Sequence, residues 1–125
     1  MVLVKPDASL STPTVYKAWD AQTVHFHPDI KAMCTALRAG NLTEIAGAMG
    51  NSLQSVSEQI CPAVGEVRRA LTAAGAPGAV MTGSGAAVVS LWQDIPSAEK
   101  ACRQMQARGW WAVVATPEKK FKLDE

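Results

Sequence analysis

The sequence predicts an α+β domain: a four-stranded antiparallel, ferredoxin-like sheet with several helices inserted into it. Three observations carry this. A short strand opens the chain before Pro6, and five helical segments separate it from the next one. The apolar period then changes from helical to alternating near Ala79 and stays so, one helix aside, to Ala115. The closing order, strand–turn–strand–helix–strand, is that of the second half of a split β-α-β unit.

Val2 to Lys5 reads as a strand stopped by Pro6, and Asp7 to Leu10 as a loop. Ser11 or Thr12 is expected to cap a helix with Pro13 in its first turn, where a missing N–H costs nothing. Val15, Tyr16, Ala18 and Trp19 ride on that helix, and Gln22 to His27 fits no period. Pro28 opens a second helix, whose Ile30, Met33, Cys34 and Leu37 recur at i, i+3, i+4 and i+7 before Gly40 stops it. Asn41 with Glu44 resembles a capping box for a third helix, which carries Leu42, Ile45, Ala46 and Met49 and ends at Gly50.

Asn51 is expected to cap a fourth helix with Leu53, Val56 and Ile60. Pro62 begins a fifth, lined by Val64, Val67, Ala70, Leu71 and Ala74 and closed by Gly75. Ala79 to Met81 is a short strand, Gly83-Ser84-Gly85 a turn, and Ala87 to Trp92 a second β-rich run. Pro96 and Ser97 start the last helix, with Ala98, Ala101, Cys102 and Met105 on one face and Gly109 beyond it. Trp110 to Ala115 is the last strand; in a strand adjacent tryptophans face opposite sides, so one of Trp110 and Trp111 is core and the other edge. The expected division is a domain over residues 1–116 and a charged tail over 117–125.

Composition narrows the function classes. The 125 residues suffice for one core. Charged residues make up 18%, below the usual level of about 25%, so some apolar surface is available to a partner. The net charge of +1 gives no electrostatic support for nucleic-acid binding. No apolar run approaches the length of a membrane span, and the start of the chain is too soon interrupted for a signal peptide. Cys34, Cys61 and Cys102 form no CxxC pair and read as free thiols of a reducing compartment, the cytoplasm. His25 and His27 have ligand-like spacing but no third ligand nearby, so no metal site is expected.

Met81-Thr82-Gly83-Ser84-Gly85 is the most informative segment. Its glycines permit positive φ, and successive free N–H groups there can face an anion. A strand follows it, not a helix, and there is neither GK[ST] nor GxGxxG, which excludes a Walker A loop and a dinucleotide fingerprint. Spacing alone favours a plain hairpin turn. By the same bland reading, Tyr16 is a helix-face aromatic packed into the core and Thr12 is an N-cap.

The same residues resemble the GHMP superfamily of small-molecule kinases. Ala79 to Gly85 followed by an apolar strand is similar to that family's C-terminal glycine-rich motif, with Thr82 where serine is usual. Gly75-Ala76-Pro77-Gly78 resembles the helix exit before it. Asn51-Ser52-Leu53-Gln54 with Cys61-Pro62 resembles the family's Asn-Asp-Leu-Glu segment and following proline, and Ser52 and Gln54 replace its acidic residues. Ala86 and Ala87 stand where proline and threonine are frequent. Lys5-Pro6 and Ser11-Thr12-Pro13-Thr14-Val15-Tyr16 look like a segment of the branch acting on 4-diphosphocytidyl-2-C-methyl-D-erythritol.

The resemblance implies a GHMP kinase C-terminal domain within a parent enzyme that uses ATP and Mg²⁺. Thr82, Gly83, Ser84 and Gly85 would support the ATP-phosphate loop, and Thr12 and Tyr16 would meet the substrate, Tyr16 against its cytosine. No catalytic residue, and no bound cofactor, is expected on this chain alone. The glycine-rich phosphate loop, catalytic aspartate and lysine belong to an N-terminal kinase domain that would be its partner. A homodimer through the face that partner would cover, an apolar patch close to the Gly83-Ser84-Gly85 turn and the Ser11 to Tyr16 segment, is a further expectation. Two alternatives stand beside this reading: a stand-alone ferredoxin-like binding or oligomerisation module, and the C-terminal domain of another GHMP kinase, for homoserine or mevalonate.

Overall fold

In a computed structural model that describes residues 1–117, the chain forms four strands and six helices. They run in the order β1 (Val2–Lys5), α1 (Thr12–Asp20), α2 (Ile30–Ala39), α3 (Leu42–Ala48), α4 (Gln54–Ile60), α5 (Pro62–Ala73), β2 (Gly78–Met81), β3 (Val88–Leu91), α6 (Ile95–Ala107) and β4 (Trp111–Val114). Of the expected charged tail, 118–125 lies outside the described residues.

The strands form one sheet in the order β2-β3-β1-β4, antiparallel throughout. Val4 stands opposite Val88 on one side and Ala112 on the other, and Val88 opposite Met81. These four residues are buried, and so are Val2 and Ser90 one pleat away. The intervening residues Leu3, Val89 and Val113 are only half-buried, and Lys5 and Trp111 are exposed. This alternation places the core on one face of the sheet. There α5 lies on β2 and β3, and α6 on β1 and β4. Val64, Val67 and Leu71 of α5 and Ala98, Ala101 and Met105 of α6 fill the space, as their spacing predicts. Val15 of α1 and Val56 of α4 complete the same cluster.

Ser90 sits in this apolar layer with both hydrogen-bonding roles used. Its hydroxyl donates to the Val2 carbonyl at 3.1 Å and accepts from Trp92 Nε1 at 2.8 Å, which removes the penalty of burying a bare hydroxyl.

Two helix starts fall on residues the sequence reading passed over. Asp29 caps α2 by accepting from the Ala32 N–H, and Asp94 caps α6 by accepting from the Ser97 N–H at 2.7 Å. That bond holds the Asp94 carboxyl below its ordinary value. Asn41 caps α3 through the Glu44 N–H, as expected.

The second helix forms where its period predicts, and Gly40 ends it at φ 67°. Its apolar stripe does not face the core: Ile30 is 75% and Leu37 58% exposed, Cys34 is exposed, and Ala36 is the one buried residue of α2. α2 packs mainly on α3, and α3 in turn lies beside β2. Gly78 makes that last approach possible, because a Cβ there would stand 2.9 Å from both the Ala46 Cβ and the Met49 Sδ.

Candidate functional site

The turn between β2 and β3 is built by its glycines. The Gly85 N–H donates to the Thr82 carbonyl and the Thr82 N–H to the Ala87 carbonyl. Gly83 has φ 54°, Gly85 has φ 99°, and no other residue of the turn has positive φ. Positive φ at the first central residue of a tight turn, and not at the second, is the demand that glycine meets.

Three side chains from outside the hairpin hold this turn. The Asn51 amide donates to the Met81 carbonyl at 2.7 Å and to the Gly83 carbonyl at 2.8 Å, while its Oδ1 accepts from the Leu53 N–H at 3.0 Å. Gln54 Oε1 accepts from the Met81 N–H at 2.9 Å. The buried Ser57 hydroxyl lies 3.4 Å from the Ser84 carbonyl. Asn51 therefore does not cap a helix as expected. α4 begins at Gln54 with Leu53 at the cap position, and the Asn51 amide is turned to the hairpin. Gln54 offers only its oxygen to this contact, so the acidic residue common at the matching position in GHMP kinases would accept the same bond.

Thr12 is likewise not an N-cap. It is the first residue of α1, Ser11 occupies the cap position without a side-chain bond, and the Thr12 hydroxyl meets the Ser84 hydroxyl at 2.9 Å. Tyr16, one turn along α1, is 52% exposed and not a core residue. At i, i+4 spacing it shares the face of Thr12. Between α1, the 27–28 segment, the α3–α4 connection and the glycine turn lies a groove of about 610 Å³, lined by Thr12, Tyr16, Trp19, His27, Asn51 and Ser84 among others. Trp19 stacks on His25 with ring centroids 3.8 Å apart, and His25 Nε2 donates to the Trp19 carbonyl at 2.7 Å. His27 stands edge-on to both rings.

Of the residues singled out in the sequence, Thr12, Tyr16, Gly83 and Ser84 meet in this groove. Thr82 and Gly85 belong to the same turn without lining it. Asn51, Trp19 and His27 are groove residues that sequence reasoning did not assign. Among the described residues, neither lysine, arginine, aspartate nor glutamate lines the groove, and no group of three His, Cys, Asp or Glu could hold a metal ion. The free thiols are far apart in character: Cys34 is exposed, and burial pushes the Cys102 thiol up. No helix among the described residues is long and apolar enough to cross a membrane. The arrangement can present an aromatic face and neutral hydrogen-bonding groups to a ligand beside a braced turn.

The sheet order, the inserted helices and the braced glycine turn are those expected of a GHMP kinase C-terminal domain, and the family comparison agrees. The chain belongs to the GHMP kinase family, whose C-terminal domain model matches residues 33–109. It is 40% identical over 108 residues to the 4-diphosphocytidyl-2-C-methyl-D-erythritol kinase of Pelotomaculum thermopropionicum, covering 86% of this chain and 36% of that enzyme. The enzyme of the same name from Moorella thermoacetica is 38% identical over 109 residues, covering 85% of this chain and 38% of the relative. The chain thus spans little more than a third of these relatives. A crystal structure of 4-(cytidine 5'-diphospho)-2C-methyl-D-erythritol kinase superposes with a TM-score of 0.72 at 29% identity, over 89% of this chain and 40% of that one. Homoserine kinase from Cytophaga hutchinsonii superposes equally well, with a TM-score of 0.72 over 90% of this chain and 39% of its own, at 17% identity. That second likeness speaks for the fold alone.

Proposed function

We propose that residues 1–116 are the C-terminal domain of a cytoplasmic kinase of isoprenoid precursor synthesis. The reaction transfers the γ-phosphoryl of ATP to a hydroxyl of 4-diphosphocytidyl-2-C-methyl-D-erythritol. The supporting observation is the groove in which Tyr16 and Thr12 face the glycine turn, in a chain with relatives of that name. Phosphoryl transfer depends on positioning and charge neutralisation, and Mg²⁺ supplies part of the latter on the ATP phosphates. In this reading an N-terminal domain provides the ATP-phosphate loop, and the Thr82–Gly85 turn braces it. The exposed Tyr16 ring stacks on the cytosine, and Thr12 lies toward the phosphates. In this reading the proton of the substrate hydroxyl is received by a group of the N-terminal domain.

Substitution at Tyr16 tests the substrate. Stacking of a base on an aromatic is worth about 1–3 kcal/mol. Tyr16→Ala in the complete kinase is expected to raise KM for the diphosphocytidyl substrate by about tenfold or more, by that same stacking energy. KM for ATP stays near its starting value, and Tyr16→Phe stays near wild type. An unchanged KM for the cytidine-bearing substrate rejects the assignment.

The domain is also expected to self-associate when it stands alone. Val24 at 82%, Phe26 at 60%, Ile30 and Leu37 are all exposed, and large apolar side chains left in water favour association where they adjoin. The sequence places such a patch beside the glycine turn and residues 11–16. In the fold these side chains belong to the 24–26 segment and α2, and none of the four lines the groove. Sedimentation over a range of concentrations should show a dimer that Ile30→Asp with Leu37→Asp dissociates. A wild-type chain that stays monomeric throughout rejects this expectation.

A further inference from the structure

We infer that Asn51 is a positioning residue for phosphoryl transfer, fixing the glycine turn to the lining of the substrate groove; the inference rests on the kinase reading above. Met81 ends β2, an edge strand, so its outward N–H and C=O have no further strand to pair with. They are taken up instead by Gln54 and Asn51, side chains from the start of α4. Asn51 goes one step beyond this edge repair. Its amide nitrogen carries two hydrogens, and two carbonyls, Met81 and Gly83, converge on it at 2.7 and 2.8 Å. Its oxygen accepts from the Leu53 N–H, so every strong bond the group can make on that side is used.

No other side chain fits this set. Aspartate keeps the bond to Leu53 but turns an acceptor toward two carbonyl oxygens. Alanine loses the donors, serine keeps a single O–H on a shorter side chain that cannot serve both carbonyls, and glutamine is one methylene longer. Asn51 also lines the groove together with Tyr16 and Ser84. A residue that lines the groove is therefore the one that sets where the Gly83 carbonyl, and with it the turn, stands. Gly83 itself has no heavy atom within 4 Å of where a Cβ would be, so the turn has little packing at its tip to hold it, and the amide bonds take that role.

A shifted turn misplaces whatever it braces, and the loss falls on turnover more than on substrate affinity. Errors of position of about 1 Å can cost about 100-fold. The test is steady-state kinetics on the complete kinase, this domain with its N-terminal half. Asn51→Asp and the milder Asn51→Ser are expected to lower kcat by about tenfold or more while KM for the diphosphocytidyl substrate stays within about threefold. Asn41→Ala, which removes a helix cap away from the groove, provides the control: it lowers the melting temperature and leaves kcat alone. If the Asn51 variants leave kcat per folded protein unchanged, as the Asn41 control does, or change only KM, the inference is overturned. If Tyr16→Ala also leaves substrate KM unchanged, the kinase reading itself has failed; if Tyr16→Ala behaves as expected, the positioning role alone has failed. Should Asn51→Asp not fold, the serine variant decides.

Discussion

Gly85→Ala is expected to destabilise the domain severely, and Gly83→Ala less, although the two glycines sit two residues apart in one turn. The difference lies in their neighbours. Gly83, at φ 54°, is strained for an L-residue, but its Cβ would meet nothing within 4 Å. Its replacement costs backbone strain alone, about 1–2 kcal/mol. Gly85, at φ 99°, is strained too, and its Cβ would fall 2.6 Å from Leu10 Cδ1 and 2.9 Å from Met81 Sδ. Backbone strain of about 1–3 kcal/mol is then joined by overpacking of about 1–3 kcal/mol. Against a total stability of about 5–15 kcal/mol for an ordinary domain, this is a large fraction. Urea unfolding followed by circular dichroism compares the two directly. A Gly85→Ala midpoint equal to wild type, or a costlier Gly83→Ala, contradicts the turn geometry described above. Gly85→Val, larger by two carbons, should fail to fold at 37 °C.

That prediction draws on what one sequence can and cannot disclose. That at least one turn glycine would need positive φ was legible because a strand precedes and follows the turn. Which of them is crowded depends on Leu10, which arrives from a loop some seventy residues earlier, and no local pattern carries that. The core helices were read correctly for a simple reason: α5 and α6 lie flat on the sheet, so their apolar spacing and their burial coincide. α2 was read correctly as a helix, but periodicity reports an amphipathic helix without reporting what covers its apolar side. Its spacing is as regular as that of α5, yet Ile30 and Leu37 face water. A domain that in its relatives is about a third of a longer chain has surfaces whose partners are elsewhere. The site was legible in part. Thr12 and Tyr16 were assigned by resemblance, against a bland local reading of cap and core residue that the fold does not support. Asn51 looked like one more helix cap, since Asn before an apolar run is the ordinary capping pattern. Its bonds to Met81 and Gly83 cross some thirty residues, and only the folded chain brings them together.

The 125-residue chain by itself is expected to yield no ADP above background with ATP, Mg²⁺ and 4-diphosphocytidyl-2-C-methyl-D-erythritol. Phosphoryl transfer needs charge brought to the moving phosphate, a nucleophile held in line, and a group to orient or receive its proton. The described lining of the groove offers hydroxyls, amides and aromatic rings, with His27 and Tyr16 its only titratable side chains. Nothing there matches the spread negative charge of three equatorial phosphoryl oxygens. The glycine turn is held from behind by Asn51, Gln54 and Ser57, a brace and not a cradle. Electrostatic stabilisation of the moving phosphate is worth about 100-fold or more, and a protein lacking that and the ATP-phosphate loop falls below detection. Adding the N-terminal domain, on the same chain or as a separate one, should restore turnover, and Tyr16→Ala in the restored enzyme should then raise substrate KM. Turnover by the purified chain, retained after Tyr16→Ala and Asn51→Asp, would place the chemistry elsewhere on this domain and overturn the division of labour between the two halves.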